Sequence, residues 1–228
     1  YSVGIDVAAR LVEVLSGQSL GAFLSERMFA PLGMTDTSFG VPHSELDRLS
    51  AMYGLPDLIG QDHTGTKLVE AALSGFNERI DVSATYPTAT PEVFARGGLG
   101  LFSTIGDYAR FAQMLLNGGR LDGTRIVGRK TLELMHANHL PSTLLPYQLL
   151  GRDNNGFGFG LGSRVMMNVA ASAGSGSVGE YGWAGAAKTY YWVDPAEDLV
   201  GLFMSQYMTG VEQPDRAMRS LTYQAIDD

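Results

Sequence analysis

The first thirty-four residues carry the period of two amphipathic helices. Three polar residues recur at helical spacing on the otherwise apolar segment 5–15: Asp6, Arg10 and Glu13. Such a narrow polar stripe predicts a helix that is buried on most sides. Gly17 ends this helix, and a second helix begins at Ser19 and is stopped by Pro31. The sequence therefore predicts a helical hairpin over 1–34.

The middle of the chain loses this regular period. Prolines interrupt the segment 35–96, in which only 67–72 has the pattern of a strand. A connection of this length inside a compact domain is usually functional or disordered, and we expect it to form one wall of a pocket. Helices return over 97–140, where Thr104 and Asp107 have the spacing of a capping box.

Strand patterns dominate the last part of the chain, 155–228. Phe157 and Phe159 alternate with glycines, as in a strand that leaves one face bare for close packing. Two apolar strands follow at 186–193 and 199–207, and the Asp-Pro pair between them favours an antiparallel hairpin.

A terminal helix begins at Pro214. Its apolar residues are available for docking on the sheet: Met218, Leu221, Tyr223 and Ile226. Helices followed by consecutive strands and a last helix predict an α/β protein of the α+β type, with an antiparallel sheet flanked by helices. We expect one domain over 1–228.

Composition narrows the classes of partner and chemistry. The net charge of −8 and the scattered Lys and Arg residues argue against a nucleic-acid partner. The chain has no cysteine, which excludes a thiolate nucleophile and Cys-ligated zinc but leaves the compartment open between cytoplasm and periplasm. No apolar run approaches the roughly 18 residues of a membrane span, so no membrane partner is expected.

Two motifs and the stretch between them are similar to one known family. The chain opens with Tyr1-Ser2-Val3, carries Ala30-Pro31-Leu32-Gly33-Met34-Thr35-Asp36-Thr37, and later reads Gly182-Trp183-Ala184-Gly185-Ala186. In these segments it resembles the serine β-lactamase superfamily, specifically the carboxylesterases related to class C β-lactamases. The resemblance implies a β-lactamase and penicillin-binding-protein-like fold that hydrolyses small carboxylic esters through an acyl-serine intermediate.

The nucleophile of that superfamily is the serine of a Ser-x-x-Lys motif that precedes the tyrosine motif. Three positions before the lysines of this chain stand other residues: Thr64 before Lys67, Val127 before Lys130 and Gly185 before Lys188. We therefore expect the nucleophile in an upstream segment of the same protein, which would act as a partner of this chain. The fold would then be incomplete on its N-terminal side, and the chain alone would be inactive.

The resemblance also assigns catalytic roles. Tyr1 would accept the proton of the attacking serine, which it can do only beside a cation such as the lysine of Ser-x-x-Lys. Trp183 and Gly185 stand where β-lactamases have the first and last residues of Lys-Thr-Gly, and the amide of Ala186 would be an oxyanion donor. Lys188 imitates that motif, and we interpret it as a strand residue facing the other side of the sheet.

Substrate contacts follow from the same comparison. Val3 replaces an asparagine that hydrogen-bonds the substrate amide in β-lactamases, and this loss favours esters over lactams and peptides. Tyr181 is a candidate for the pocket lining, as are Tyr53, Phe76, Tyr86 and Tyr147. Gly97 and Gly98 either let the backbone approach the pocket or serve the turn before the next helix.

Other functions remain open. The same fold also supports a β-lactamase, a D-amino-acid peptidase or an acyltransferase, and a non-catalytic module that has lost the nucleophile segment is a further alternative. Glu133, His136 and His139 have the spacing of metal ligands, but a solvated helix end is the preferred interpretation. We expect no metal and no cofactor, and a small-molecule ester as substrate.

Overall fold

The computed structural model describes residues 3–54, 78–80, 95–149, 152–208 and 214–227. Its contacts form two compact units, residues 1–110 with 206–211 and residues 111–205 with 212–228. The single domain over 1–228 stays a prediction. The predicted strand at 67–72 lies outside the described residues.

The first unit opens with helices. They are α1 (Gly4–Ser16), α2 (Leu20–Leu24), a π-helical turn (Ser25–Phe29) and α3 (Ala30–Leu32). Gly17 ends α1 in the left-handed conformation, and the Ser19 side chain caps α2, as the sequence predicts. Pro31, however, lies inside α3, and the helical run ends at Gly33. The prediction that Pro31 stops the helix is one residue early, because the helical run continues through Pro31 to Leu32.

The rotation of α1 also differs from the prediction. Of its thirteen residues only Ala9 is buried, and the apolar side chains at 7, 11, 14 and 15 face solvent. Two of the three polar residues, Asp6 and Glu13, point the other way, whereas the Arg10 side chain is exposed. Asp6 accepts a hydrogen bond from the Gly98 N–H (3.1 Å), and Glu13 accepts one from the Leu20 N–H (3.0 Å). The prediction of a helix buried on most sides is therefore wrong for this structure.

Neither α1 nor any other single helix of the described residues is long and apolar enough to cross a membrane. Only together do α1 and the helical run 20–32 have the length and apolar composition of a membrane span, and the two are bent by 79° to each other.

Polar contacts organise the rest of the first unit. A 3₁₀ helix (His43–Arg48) precedes two short antiparallel strands, β1 (Met52–Gly54) and β2 (Glu78–Ile80). The next helix, α4 (Ile105–Leu116), begins in this unit and ends in the second. Thr104 caps it by accepting the Asp107 N–H (3.1 Å), as predicted. The buried Asp107 carboxylate does not complete the capping box; it accepts the Asp36 N–H and the Thr37 hydroxyl, both at 2.8 Å.

The second unit contains short elements before its sheet. They are β3 (Arg120–Leu121), β4 (Thr124–Arg125), α5 (Arg129–Met135), a 3₁₀ turn (Ser142–Leu144), β5 (Gln148–Leu149) and β6 (Arg152–Asp153). Gly118 and Gly119 end α4 as predicted: their N–H groups bond the carbonyls of Leu115 and Met114, which is a Schellman motif.

The second unit is built around a five-stranded antiparallel sheet of order β11-β10-β9-β8-β7. Its strands are β7 (Phe157–Phe159), β8 (Arg164–Met166), β9 (Tyr181–Ala184), β10 (Tyr190–Asp194) and β11 (Leu199–Phe203), with α6 (Val169–Ser172) between β8 and β9. The hairpin of β10 and β11 is confirmed. The predicted strand at 186–193 is wrong at its start, because a turn occupies 185–189, and β11 ends four residues before the predicted 207.

Packing of the sheet explains its glycines and its terminal helix. A Cβ on Gly158, in the middle of β7, would overlap the Asn138 side-chain oxygen and the Met167 sulfur, which confirms that this strand has a bare face for close packing. The terminal helix α7 (Pro214–Gln224) is also confirmed. It attaches through Arg219 and Tyr223, whereas Leu221 and Ile226 are exposed. The prediction that these last two dock on the sheet is wrong.

Candidate active site

The described site residues of the first unit lie beside the start of α1. Tyr1, the predicted base, lies outside the described residues. Val3 is the residue before α1, and its side chain is 71% exposed. Its carbonyl accepts the Val7 N–H (3.0 Å), which fixes its backbone to the helix. The side chain at this predicted substrate position is therefore accessible from solvent.

Gly97 and Gly98 pack against the same helix. A Cβ on Gly97 would overlap the Ile5 carbonyl oxygen and lie 2.9 Å from the Ala9 Cβ. The Gly98 N–H donates to the Asp6 carboxylate (3.1 Å). The structure thus gives Gly97 a reason that neither sequence alternative contained, the close approach of α1. A contact of these glycines with substrate stays a prediction.

The predicted residues of the second unit lie at the end of β9 and in the turn that follows. The Gly185 N–H donates to the Thr189 carbonyl (2.8 Å), and the Lys188 N–H closes the turn on the Gly185 carbonyl (3.1 Å). Lys188 has a φ of 57° in this turn. The interpretation of Lys188 as a strand residue is therefore wrong, because the chain reverses before it.

This turn presents the amide that the resemblance selects. Ala186 and Ala187 occupy its two central positions, and Ala186 is exposed. Among the described residues none accepts a hydrogen bond from the Ala186 N–H. The Ser205 hydroxyl anchors the turn by donating to the Ala187 carbonyl (2.9 Å). A Cβ on Gly185 would overlap the Thr189 hydroxyl, so a larger residue here would force that side chain to move.

Trp183 belongs to a row of aromatic rings. It is half-buried and meets Phe159 edge to face, with ring centroids 5.1 Å apart. Phe159 meets Tyr147 in the same way at 5.9 Å. Burial raises the pKa of the Tyr147 hydroxyl, which keeps it protonated. The alternating glycines of 156–162 were the only sequence signal for the contact between Phe159 and Trp183.

Tyr181 is not available to a substrate in this structure. Its side chain is 5% exposed, and the His136 ring stacks on it with centroids 3.5 Å apart. The His136 Nδ1 lies 2.9 Å from the hydroxyl of the buried Ser163. Desolvation lowers the pKa of His136 to about 4, so the ring is neutral at physiological pH. The expected substrate contact of Tyr181 is therefore not supported.

The three residues with metal-ligand spacing have separate partners. Glu133 pairs with Arg129 and Lys130 on the surface of α5, and this pairing lowers its carboxyl pKa. The His139 Nε2 lies 2.8 Å from the Leu134 carbonyl. His136 is half-buried against Tyr181, so the interpretation of a solvated helix end is wrong for it. No group of three metal-ligating side chains occurs in the part of the chain that the structure describes.

The predicted site is thus divided between the two units. Gly97 and Gly98 meet α1 close to Val3 in the first unit, and Trp183, Gly185 and Ala186 share one strand end and turn in the second. That the two sets of residues line one pocket stays a prediction.

Known proteins are similar to this chain in sequence and in fold. A family model described as Beta-lactamase matches residues 2–224. Protein Rv1367c of Mycobacterium tuberculosis is 34% identical over 211 residues, 91% of this chain and 48% of that protein. The lovastatin esterase of Penicillium rubens is 28% identical over 223 residues, 93% of this chain and 51% of that protein. The chain therefore spans about half the length of the curated relatives it matches.

Solved structures agree on the fold. A mutant of simvastatin synthase from Aspergillus terreus superimposes with a TM-score of 0.75 at 24% identity, over 98% of this chain and 55% of the other. At this identity the likeness shows the fold alone. The prediction of a β-lactamase and penicillin-binding-protein-like fold with an antiparallel sheet and flanking helices is confirmed.

Proposed function

Since the chain belongs to the beta-lactamase family, we propose that it forms part of a serine hydrolase that cleaves small carboxylic esters. The nucleophile would come from an upstream segment of a longer protein, because no lysine of this chain has a serine three positions before it. The relatives are about twice as long as the matched region, which leaves room for such a segment.

The observation that carries the choice of esters is Val3. A valine side chain cannot hydrogen-bond an amide, so the position that selects lactams and peptides in β-lactamases has no polar group here. Its exposure supports a direct effect on whatever occupies the neighbouring site. The lovastatin esterase, which is similar over 93% of this chain, is consistent with this choice.

In the proposed reaction the serine oxygen bonds to the ester carbonyl carbon while its proton passes to the Tyr1 oxygen. The negative charge that develops on the carbonyl oxygen would be stabilised by the Ala186 N–H and by the amide of the nucleophile. The alcohol then leaves with the proton. Water releases the acyl group as the acid and restores the serine hydroxyl. The exposed Ala186 amide, without an acceptor among the described residues, supports this role.

Covalent labelling with a fluorophosphonate probe tests the proposal. The 228-residue chain alone should not react, whereas the protein extended upstream to a Ser-x-x-Lys motif should be labelled on that serine. The extended protein should also hydrolyse p-nitrophenyl butyrate faster than nitrocefin or a D-Ala-D-Ala peptide. Stoichiometric labelling of any serine within residues 1–228 would refute the assignment of the nucleophile.

Two variants at position 3 test the reason for the ester preference. Val3→Asn restores an amide and should shift the ratio of rates toward nitrocefin, while Val3→Leu keeps an apolar side chain and should leave the ratio unchanged. A wild-type preference for nitrocefin, or equal ratios in both variants, would contradict the role of Val3.

A further inference from the structure

The chain contains two asparagine-glycine pairs, Asn117-Gly118 and Asn155-Gly156. In such a pair the main-chain nitrogen of the glycine can attack the side-chain carbonyl carbon of the asparagine, because glycine has no Cβ to hinder the approach. The attack requires a glycine N–H that is free of a hydrogen bond and an asparagine side chain that can turn toward it. The two pairs differ in both respects.

In the first pair both reacting groups are engaged at the end of α4. The Gly118 N–H donates to the Leu115 carbonyl (3.0 Å). The Asn117 side-chain oxygen accepts a hydrogen bond from the Gln113 side-chain amide (3.0 Å), and the Asn117 N–H donates to the Gln113 carbonyl (2.9 Å). Attack by the Gly118 nitrogen therefore requires the last turn of α4 to open first.

The second pair occupies the two central positions of a tight turn before β7. The Phe157 N–H closes this turn on the Asn154 carbonyl (3.3 Å). Asn155 is exposed, and among the described residues neither its side chain nor the Gly156 N–H has a hydrogen-bond partner. Both reacting groups are therefore available without the loss of any hydrogen bond.

The packing of this turn also requires glycine at position 156. Gly156 has a φ of 78°, and a Cβ there would overlap the Asn168 carbonyl oxygen and the Ser172 nitrogen. Its own carbonyl accepts the N–H groups of Met167 (2.8 Å) and Asn168 (3.0 Å). Gly156 thus holds the turn against the start of α6, and a larger residue that would slow the attack is excluded by the fold.

We propose that Asn155 is a site of spontaneous deamidation and isoaspartate formation. The Gly156 nitrogen loses its proton and bonds to Cγ of Asn155, while the side-chain nitrogen takes up a proton and leaves as ammonia, which gives a cyclic imide. Water then opens the imide at either carbonyl and yields aspartate or isoaspartate. Isoaspartate adds one carbon to the main chain beside the close contacts of Gly156, so it loosens the attachment of the turn to α6. The proposal does not depend on the proposed function.

Ageing the folded protein at mildly alkaline pH tests the site, both in the 228-residue chain and in the protein extended upstream. Trypsin releases the two pairs in separate peptides, residues 111–120 and 153–164, because an arginine precedes and ends each of them. Mass spectrometry should find deamidation at Asn155 about tenfold or more faster than at Asn117 in the folded protein. In guanidinium chloride, where α4 is unfolded, the two rates should become nearly equal. Asn155→Gln is the matched control and should abolish the product at this position, because its longer side chain closes a ring far more slowly.

Equal rates at the two asparagines in the folded protein would overturn the proposal. So would a rate at Asn155 that falls to that of Asn117 in the extended protein. Methylation by an isoaspartyl methyltransferase identifies the isoaspartyl form, which should unfold at a lower urea concentration than the unaged protein. Asn155→Asp adds the same charge without the extra main-chain carbon and should unfold like the unaged protein. Identical midpoints for Asn155→Asp and the isoaspartyl form would refute the loosening of the turn.

Discussion

Helices α1 and α7 both attach to their own unit through polar side chains, but they differ in what those side chains meet. On α7, Arg219 donates to the Glu180 carboxylate (2.5 Å), and the Tyr223 hydroxyl lies 2.8 Å from carboxylate oxygens of both Glu180 and Asp194. These two carboxylates are completely buried. On α1, Asp6 accepts one backbone N–H, and Glu13 accepts one backbone N–H and pairs with the exposed Arg10 of the same helix; all these contacts are closer to the surface.

These two helices are therefore attached by two kinds of polar contact that differ in energy. Buried charges that satisfy one another are costly to break, because the group left behind stays desolvated without its partner. A carboxylate that accepts one backbone N–H near solvent fixes orientation at a much lower energy. We therefore expect the second unit to depend on its polar cluster, and α1 to tolerate changes on its outward face.

Arg219→Met should have the largest effect, because it leaves the buried Glu180 carboxylate without its cation. Loss of one member of a buried pair typically costs about 3–5 kcal/mol. Urea unfolding followed by tryptophan fluorescence measures this cost within the second unit, since both tryptophans of the chain, Trp183 and Trp192, lie in β9 and β10.

Arg216→Met is the matched control on the same helix, because Arg216 is exposed, and it should change the unfolding free energy by less than about 0.5 kcal/mol. The double variant Glu180→Met/Arg219→Met removes both charges and should recover part of the loss. Equal effects of Arg216→Met and Arg219→Met would remove the contrast between α7 and α1.

Acidification should have an intermediate effect on the same unit. Burial lowers the pKa of His136 to about 4, whereas an unfolded histidine has a pKa near 6.5. The unfolded chain therefore binds a proton first as the pH falls. The contribution of neutral His136 to the stability of the folded state is fully present above pH 6.5, and it is lost progressively as the pH falls to about 4. Between pH 7.5 and 4.5 the unfolding free energy should fall by about 1–2 kcal/mol, after allowing for the partial exposure of the ring.

His136→Phe tests the source of this pH dependence. Phenylalanine keeps an aromatic ring against Tyr181 but cannot bind a proton. The variant should show a flatter dependence of the urea midpoint between pH 7.5 and 4.5, whatever its stability at neutral pH. An unchanged slope would assign the acid sensitivity to other groups.

The fold was more accessible from sequence than the rotation of its helices. The period of 5–15 correctly predicted α1, because helical spacing depends only on local geometry. The same period does not say which face of the helix packs. That face is set by hydrogen bonds from the Gly98 and Leu20 amides, which both lie outside the helix. The cluster of Glu180 with Arg219 joins residues thirty-nine positions apart and has no local pattern.

The candidate site shows the same limit. Trp183 and Gly185 could be selected by resemblance, but the turn that exposes the Ala186 amide depends on Thr189 across the hairpin and on a lysine with positive φ. A non-glycine residue in that conformation is uncommon, so the sequence around Lys188 favoured a strand. Similarly, Gly97 is required by the backbone of α1 ninety-two positions earlier, a contact that no spacing within its own segment predicts.

The smallest effect is expected on the outward face of α1. Leu11→Gln in the 228-residue chain should change the unfolding free energy by less than about 0.5 kcal/mol, because the leucine side chain is largely in solvent.

Ala9→Gln on the inward face should cost about 1–3 kcal/mol, because the larger side chain must enter the contact with Gly97. Hydrogen exchange of the amides in 4–16 reports on α1 directly, since this helix has no tryptophan. Equal destabilisation by both variants would mean that the outward face of α1 is already packed within residues 1–228.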